Sequence, residues 1–110
     1  MVKYILSKIR NININEKNEY EETAIIVAAR NGNHEIVKLL IENGADINTV
    51  GEFNYTALMF ASSNGHFDTV KLLMEEGAKA DVKNVNDLTA YNLASLNGHN
   101  DIVKYFIENK

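Results

Sequence analysis

Apolar residues recur along this chain in short bursts at helical spacing. Ile25, Ala28 and Ala29 stand three to four apart, and after a break at "RNGNH" the period resumes with Ile36, Val37, Leu40 and Ile41. Two short helices in succession are predicted. Thr23 is placed to N-cap the first, with Ala24 at the first helical position, and Gly32 and Gly44 suit the left-handed residues that end the first and second helices. The following "ADINTVGEFNY" carries turn formers without a helical period, so an exposed hairpin-like connection is expected. Helices of about ten residues are marginal alone in water, so this unit must be packed against another.

The pattern then returns. Thr23, Thr56 and Thr89 lie 33 residues apart, as do Gly32, Gly65 and Gly98, and so do Gly44 and Gly77. A fixed period of this length predicts stacked units, each covering the apolar face of its neighbour. Upstream, "VKYILSKIRNIN" parallels "VKLLIENGADIN" at a step of 35, from Val2 to Val37 and from Asn13 to Asn48. A partial leading repeat without its first helix is therefore expected, with the two additional residues in the connection "INEKNEYEE".

The motifs "TAII", "TALM" and "TAYN", the turns "GN", "GH" and "GH", and the closures "GADIN" and "GAKAD" resemble the ankyrin repeat family. The resemblance implies an all-α ankyrin-repeat solenoid of stacked helix-turn-helix units with protruding hairpin loops. Its parts are a partial leading repeat over 1–17, repeats over 18–50 and 51–83, and a last repeat over 84–110 that lacks its final loop. Two departures stand out. Ala24, Ala57 and Ala90 replace the family's usual Pro, which loosens each helix start. Ile26, Met59 and Asn92 replace the His that in this family bridges neighbouring loops, so less stiff loops are expected.

Composition narrows the function. Eleven Lys and Arg against fifteen Asp and Glu give a formal net charge of -4, which provides no electrostatic footprint for nucleic acid. The chain has no Cys, which fits a reducing compartment, and no secretory signal or membrane span is recognisable, so the cytoplasm or nucleus is expected. His66 and His99 sit one repeat apart, roughly 10 Å in a helical stack, too far to share a metal, and read as turn residues. Glu16, Glu19, Glu21 and Glu22 cluster in one loop without a His, Ser or Cys partner, and read as a solvated loop. No phosphate-cradle, nucleophile-elbow or zinc-protease motif occurs, so no enzyme, metal or cofactor is expected.

Resemblance to the family implies that hairpin tips and inner-helix residues form one concave protein-binding surface. By register the first copy presents Glu19, Tyr20, Glu22, Arg30 and Asn31. The second presents Glu52, Phe53, Tyr55, Ser63 and Asn64, and the third Val85, Asn86, Leu88, Leu96 and Asn97. Tyr20, Phe53, Tyr55, Val85, Leu88 and Leu96 are large apolar groups where loops should be polar, and such groups dominate interface hot spots. The alternative is that they fold back over the adjacent hairpin. The opposite face, with His34, Glu35, Lys38, Glu42, Asp68, Lys71 and Glu75, reads as solvated.

A non-catalytic scaffold for a protein partner is the function these features support. Ile102, Val103, Phe106 and Ile107 keep an interior repeat's apolar pattern at the last repeat. They either pack inward or leave an open end, which carries the alternative of a self-associating or structural piece of a longer array. An unrecognised carboxylate site at Glu19, Glu21 and Glu22 is the remaining, enzymatic, reading.

Overall fold

The computed structural model describes residues 14–109, so the leading helix expected before Ile14 lies outside the described residues. Among the described residues, six helices form three antiparallel pairs. They are α1 Ala24–Arg30 with α2 His34–Glu42, α3 Ala57–Ser63 with α4 Phe67–Glu75, and α5 Ala90–Leu96 with α6 Asn100–Glu108. A single 3-10 turn, Glu52–Asn54, lies in the second hairpin, and no strand occurs among the described residues.

The pairs stack in chain order. The inner helices α1, α3 and α5 pack on one another more extensively than the outer helices α2, α4 and α6. The molecule is accordingly elongated, with principal extents of 38 × 25 × 19 Å. Its core runs along the stack between the two helical rows and contains Ile25, Ile26, Leu40, Leu58, Met59, Leu73 and Ile102, all essentially inaccessible. Burying such a side chain contributes about 1.5–3 kcal/mol.

Each inner helix begins at its threonine, but the caps differ. Thr56 Oγ1 accepts from the Met59 amide at 3.2 Å. At Thr89 the cap is reciprocal: Oγ1 accepts from the Asn92 amide at 3.2 Å, and Asn92 Oδ1 accepts from the Thr89 amide at 3.0 Å. Thr23 makes no such bond, and its buried hydroxyl has no partner. The expected capping bond is therefore absent from the first pair.

His66 and His99 are ties between pairs. Nε2–H of His66 donates to the Arg30 carbonyl at 2.9 Å, and that of His99 donates to the Ser63 carbonyl at the same distance. Each ring lies against the turn glycine of the preceding pair. A Cβ at Gly65, where φ is +78°, would stand 2.6 Å from Cε1 of His99. Glycine is thus required there for both backbone conformation and space.

Loop asparagines make the corresponding ties on the hairpin side. Asn48 Oδ1 accepts from the Lys79 amide at 2.8 Å, and Asn15 Oδ1 accepts from the Asp46 amide at 2.7 Å. Asn15 thus does for the first loop what Asn48 does for the second, 33 residues later. This corrects the expected position of the two additional residues, because the segment from Asn15 to Thr23 keeps the spacing of the segment from Asn48 to Thr56.

At the last pair, Ile102 and Phe106 are buried, Val103 is half-buried and Ile107 is exposed. The inward-packing alternative therefore holds for two of those four residues. Tyr91 occupies the register of Ile25 and Leu58, yet is 39% exposed where they are 1%. No following pair covers it among the described residues.

Candidate protein-binding surface

Three hairpins and three inner helices set the geometry of the inner face. In the first hairpin Asn18 Oδ1 accepts from the amides of Tyr20 at 2.8 Å and Glu22 at 3.0 Å, and in the third Asn84 Oδ1 accepts from Asn86 at 2.8 Å and Leu88 at 3.1 Å. An asparagine side chain thus folds each turn locally. The second hairpin has Gly51 at this register and no such brace. Its turn is left-handed at both Phe53 and Asn54, at φ 59° and 61°, whereas the other two are left-handed only at Glu21 and Asp87, the register of Asn54. A non-glycine residue in that conformation costs roughly 1–2 kcal/mol.

What offsets the cost is a tie to the third hairpin. Asn54 Nδ2 donates to the Lys83 carbonyl at 2.7 Å, and the Val85 amide donates to the Phe53 carbonyl at 3.0 Å. The turn holds the Phe53 side chain outward, 66% exposed.

Between the first and second pairs lies an open groove of about 450 Å³. Tyr20, Glu22 and Arg30 line one side, Glu52, Phe53 and Tyr55 the hairpin side, and Ser63 and Asn64 the far end. Eight of the fifteen residues selected from sequence therefore meet in one cavity. Tyr20 and Phe53 are exposed, whereas Tyr55 is half-buried and stacks on Phe60 with ring centroids 4.8 Å apart. Tyr55 is thus taken up by a ring of its own pair rather than by the adjacent hairpin, while Tyr20 and Phe53 stay exposed.

Arg30 organises the groove floor. Its guanidinium pairs with the Glu22 carboxylate and lies over the Phe60 ring, 5.6 Å from the centroid. Glu22 also accepts from Asn18 Nδ2 at 3.3 Å, so this member of the acidic cluster is fixed by the fold. Sequence reasoning passed over Phe60 because its spacing marks it as core. The available signal was an aromatic residue where the other copies carry Val27 and Leu93.

The remaining selected residues lie elsewhere. Glu19 projects from the first tip, and Asn31 is exposed after α1. Val85, Asn86, Leu88, Leu96 and Asn97 continue the face onto the third pair, with Val85 and Leu96 exposed and Leu88 half-buried. Two asparagines are tied to the neighbouring pair: Asn64 Nδ2 donates to the Arg30 carbonyl at 3.0 Å, and Asn97 Nδ2 to Ser63 Oγ at 3.2 Å. On the outer face His34, Glu35, Lys38, Glu42, Asp68, Lys71 and Glu75 are all exposed.

No group of three or more potential metal ligands occurs among the described residues, and no helix there is long and apolar enough to cross a membrane. Burial, and after it the Glu75 carboxylate, raise the Tyr105 hydroxyl above its ordinary value of 10.0. Tyr105 meets Phe67 edge-on between the outer helices α6 and α4, away from the groove.

A family model described as ankyrin repeats (3 copies) matches residues 1–84 and again residues 43–110. This chain belongs to the ankyrin repeat family. Repeats of this family generally mediate protein–protein interaction. No curated protein matches the chain.

Proposed function

We propose that this chain is a non-catalytic scaffold that binds a protein partner through its concave hairpin and inner-helix surface. The observation that carries the reading is the groove between the first two pairs, where Tyr20 and Phe53 stand exposed beside the fixed Glu22–Arg30 pair. Rigid aromatic groups supply large contact area at little entropic cost, and charged groups held by the fold supply specificity. Tyr55, Ser63 and Asn64 extend the contact along α3, and Val85, Leu88 and Leu96 extend it to the third pair.

The test is capture from source-cell lysate with the wild type and a Tyr20→Ala, Phe53→Ala double variant. Both residues are exposed, so circular dichroism should show an unchanged fold. Loss of a specific partner in the folded variant is the expected result. Unchanged capture places the contact elsewhere and overturns the reading.

A second reading is favoured by the exposure of Tyr91 and Ile107 at the trailing face of the third pair. There a further unit or a second copy docks, and the chain acts as a structural piece of a larger array. A mass from light scattering that rises with concentration, and stays at the monomer value in Tyr91→Lys, supports it. A strict monomer at all concentrations removes the self-association form of this reading.

A further inference from the structure

The inner face changes chemistry from pair to pair at fixed register. The first pair carries Asn18, Glu22 and Arg30, joined by hydrogen bond and ion pair. At the same positions the second carries Gly51, Tyr55 and Ser63, and the third Asn84, Leu88 and Leu96. Hydrogen-bonded charge gives way to an aromatic ring and then to aliphatic groups, and Leu96 is 70% exposed.

The hairpin rim is graded in the same direction. Glu16, Glu19, Glu21 and Glu52 are exposed on the first two hairpins. The cations there among the described residues are already engaged, Lys17 Nζ with the Val50 carbonyl at 2.7 Å and Arg30 with Glu22. At the third hairpin Asp87 faces Lys83 at 3.6 Å, and Val85 is exposed beside them. One end of the face is therefore acidic and aromatic, and the other is aliphatic with its charges balanced.

Resting on the reading of this face as the binding surface, we propose its occupant: an extended segment of a partner protein with a Lys or Arg at one end and an aliphatic residue at the other. The cation lies between the rings of Tyr20 and Phe53 under the field of Glu19 and Glu52. Both the ring faces and the carboxylates attract it. The aliphatic side chain covers Leu88 and Leu96. An acidic segment meets like charge at the rim and is rejected. Stacked pairs are spaced by roughly 10 Å, and an extended chain advances about 3.3 Å per residue. One and a half to two pairs then separate the two anchors, which sets them roughly five or six residues apart.

The test uses a phage-displayed library of random dodecapeptides selected against the full chain, with selected peptides then measured on variants at exposed positions. We expect enrichment of a basic and an aliphatic residue at that separation. Glu19→Lys with Glu52→Lys should weaken these peptides roughly tenfold, Leu96→Ser several-fold, and added salt should weaken the wild-type interaction. Selected peptides that are acidic or uncharged, yet lost on Phe53→Ala, overturn this inference and leave the concave binding surface standing. A selection yielding no peptide that depends on Phe53 overturns both.

Discussion

The first and third helix pairs share a backbone and differ in what they show to solvent. Each starts its inner helix at a threonine, ends it before a left-handed glycine, and braces its hairpin with an asparagine, Asn18 or Asn84. Yet the residue that follows in register is Glu22 in one and Leu88 in the other, and the next is Arg30 against Leu96. One consequence is energetic. Asn18 Nδ2 finds the Glu22 carboxylate, whereas the buried Nδ2 of Asn84 has no partner. The positions that build the stack are repeated and those that face the groove are varied, which is the arrangement expected of a scaffold that displays a surface.

The sharpest way to break this comparison is at a position the stack uses in one pair and leaves open in another. Leu58→Ala should cost about 2–5 kcal/mol, because it is buried on a helix that packs against both neighbouring pairs. Tyr91→Ala at the same register should cost clearly less in the same thermal melts, since the ring is partly exposed. Equal losses would mean that neighbour contact is not what holds the array.

Gly65→Ala comes next. Its Cβ would strike the His99 ring, and the left-handed conformation adds roughly 1–2 kcal/mol of strain. Chemical denaturation should show the loss, and His99→Ala in the same background should recover the part due to the clash.

At the groove, Arg30→Leu alone should cost about 1 kcal/mol by leaving Glu22 without its cation. The double change with Glu22→Leu, which copies the third pair's edge, should return near wild-type stability. Ser62→Ala should raise stability by about 0.5–1 kcal/mol, because its buried hydroxyl has no partner and Ala29 already fills that register in the first pair.

The smallest effect is at high pH. Tyr105 ionises above its ordinary value in the folded protein, so the fold favours the neutral hydroxyl. That contribution is complete below pH 10.0 and is lost as pH rises through the raised value. The melting temperature of the wild type should therefore fall slightly more steeply than that of Tyr105→Phe in this range.

Much of this was legible in the sequence because a repeat reads its own structure out several times. Thr and Gly at fixed register located helix starts and turns in all three copies, while His66 and His99, read as turn residues, prove to be ties between pairs as well. What escaped depends on contacts between copies rather than on spacing within one. Phe60 reads as core from its helical position, and only the stack reveals that its ring lies between Tyr55 and Arg30. Asn64 and Asn97 sit where a binding face was expected, but their amides reach back to the preceding pair. The two asparagines of "ININ" offered two registers, and the bond from Asp46 to Asn15 selects the one that sequence matching did not. The exposure of Tyr20 and Phe53 was legible for a physical reason, since large apolar residues at loop tips have no core to fill.

The most direct test of the separation between framework and displayed face is a titration of the 15N-labelled chain with a peptide selected against it, followed by amide chemical shifts. We expect the perturbations to concentrate at Tyr20, Phe53, Ser63 and Leu96 and to leave Lys38, Lys71 and Lys104 on the outer helices unmoved. Perturbations centred on those outer helices, with the hairpin tips silent, would contradict the assignment of the inner face as the surface this protein exists to present.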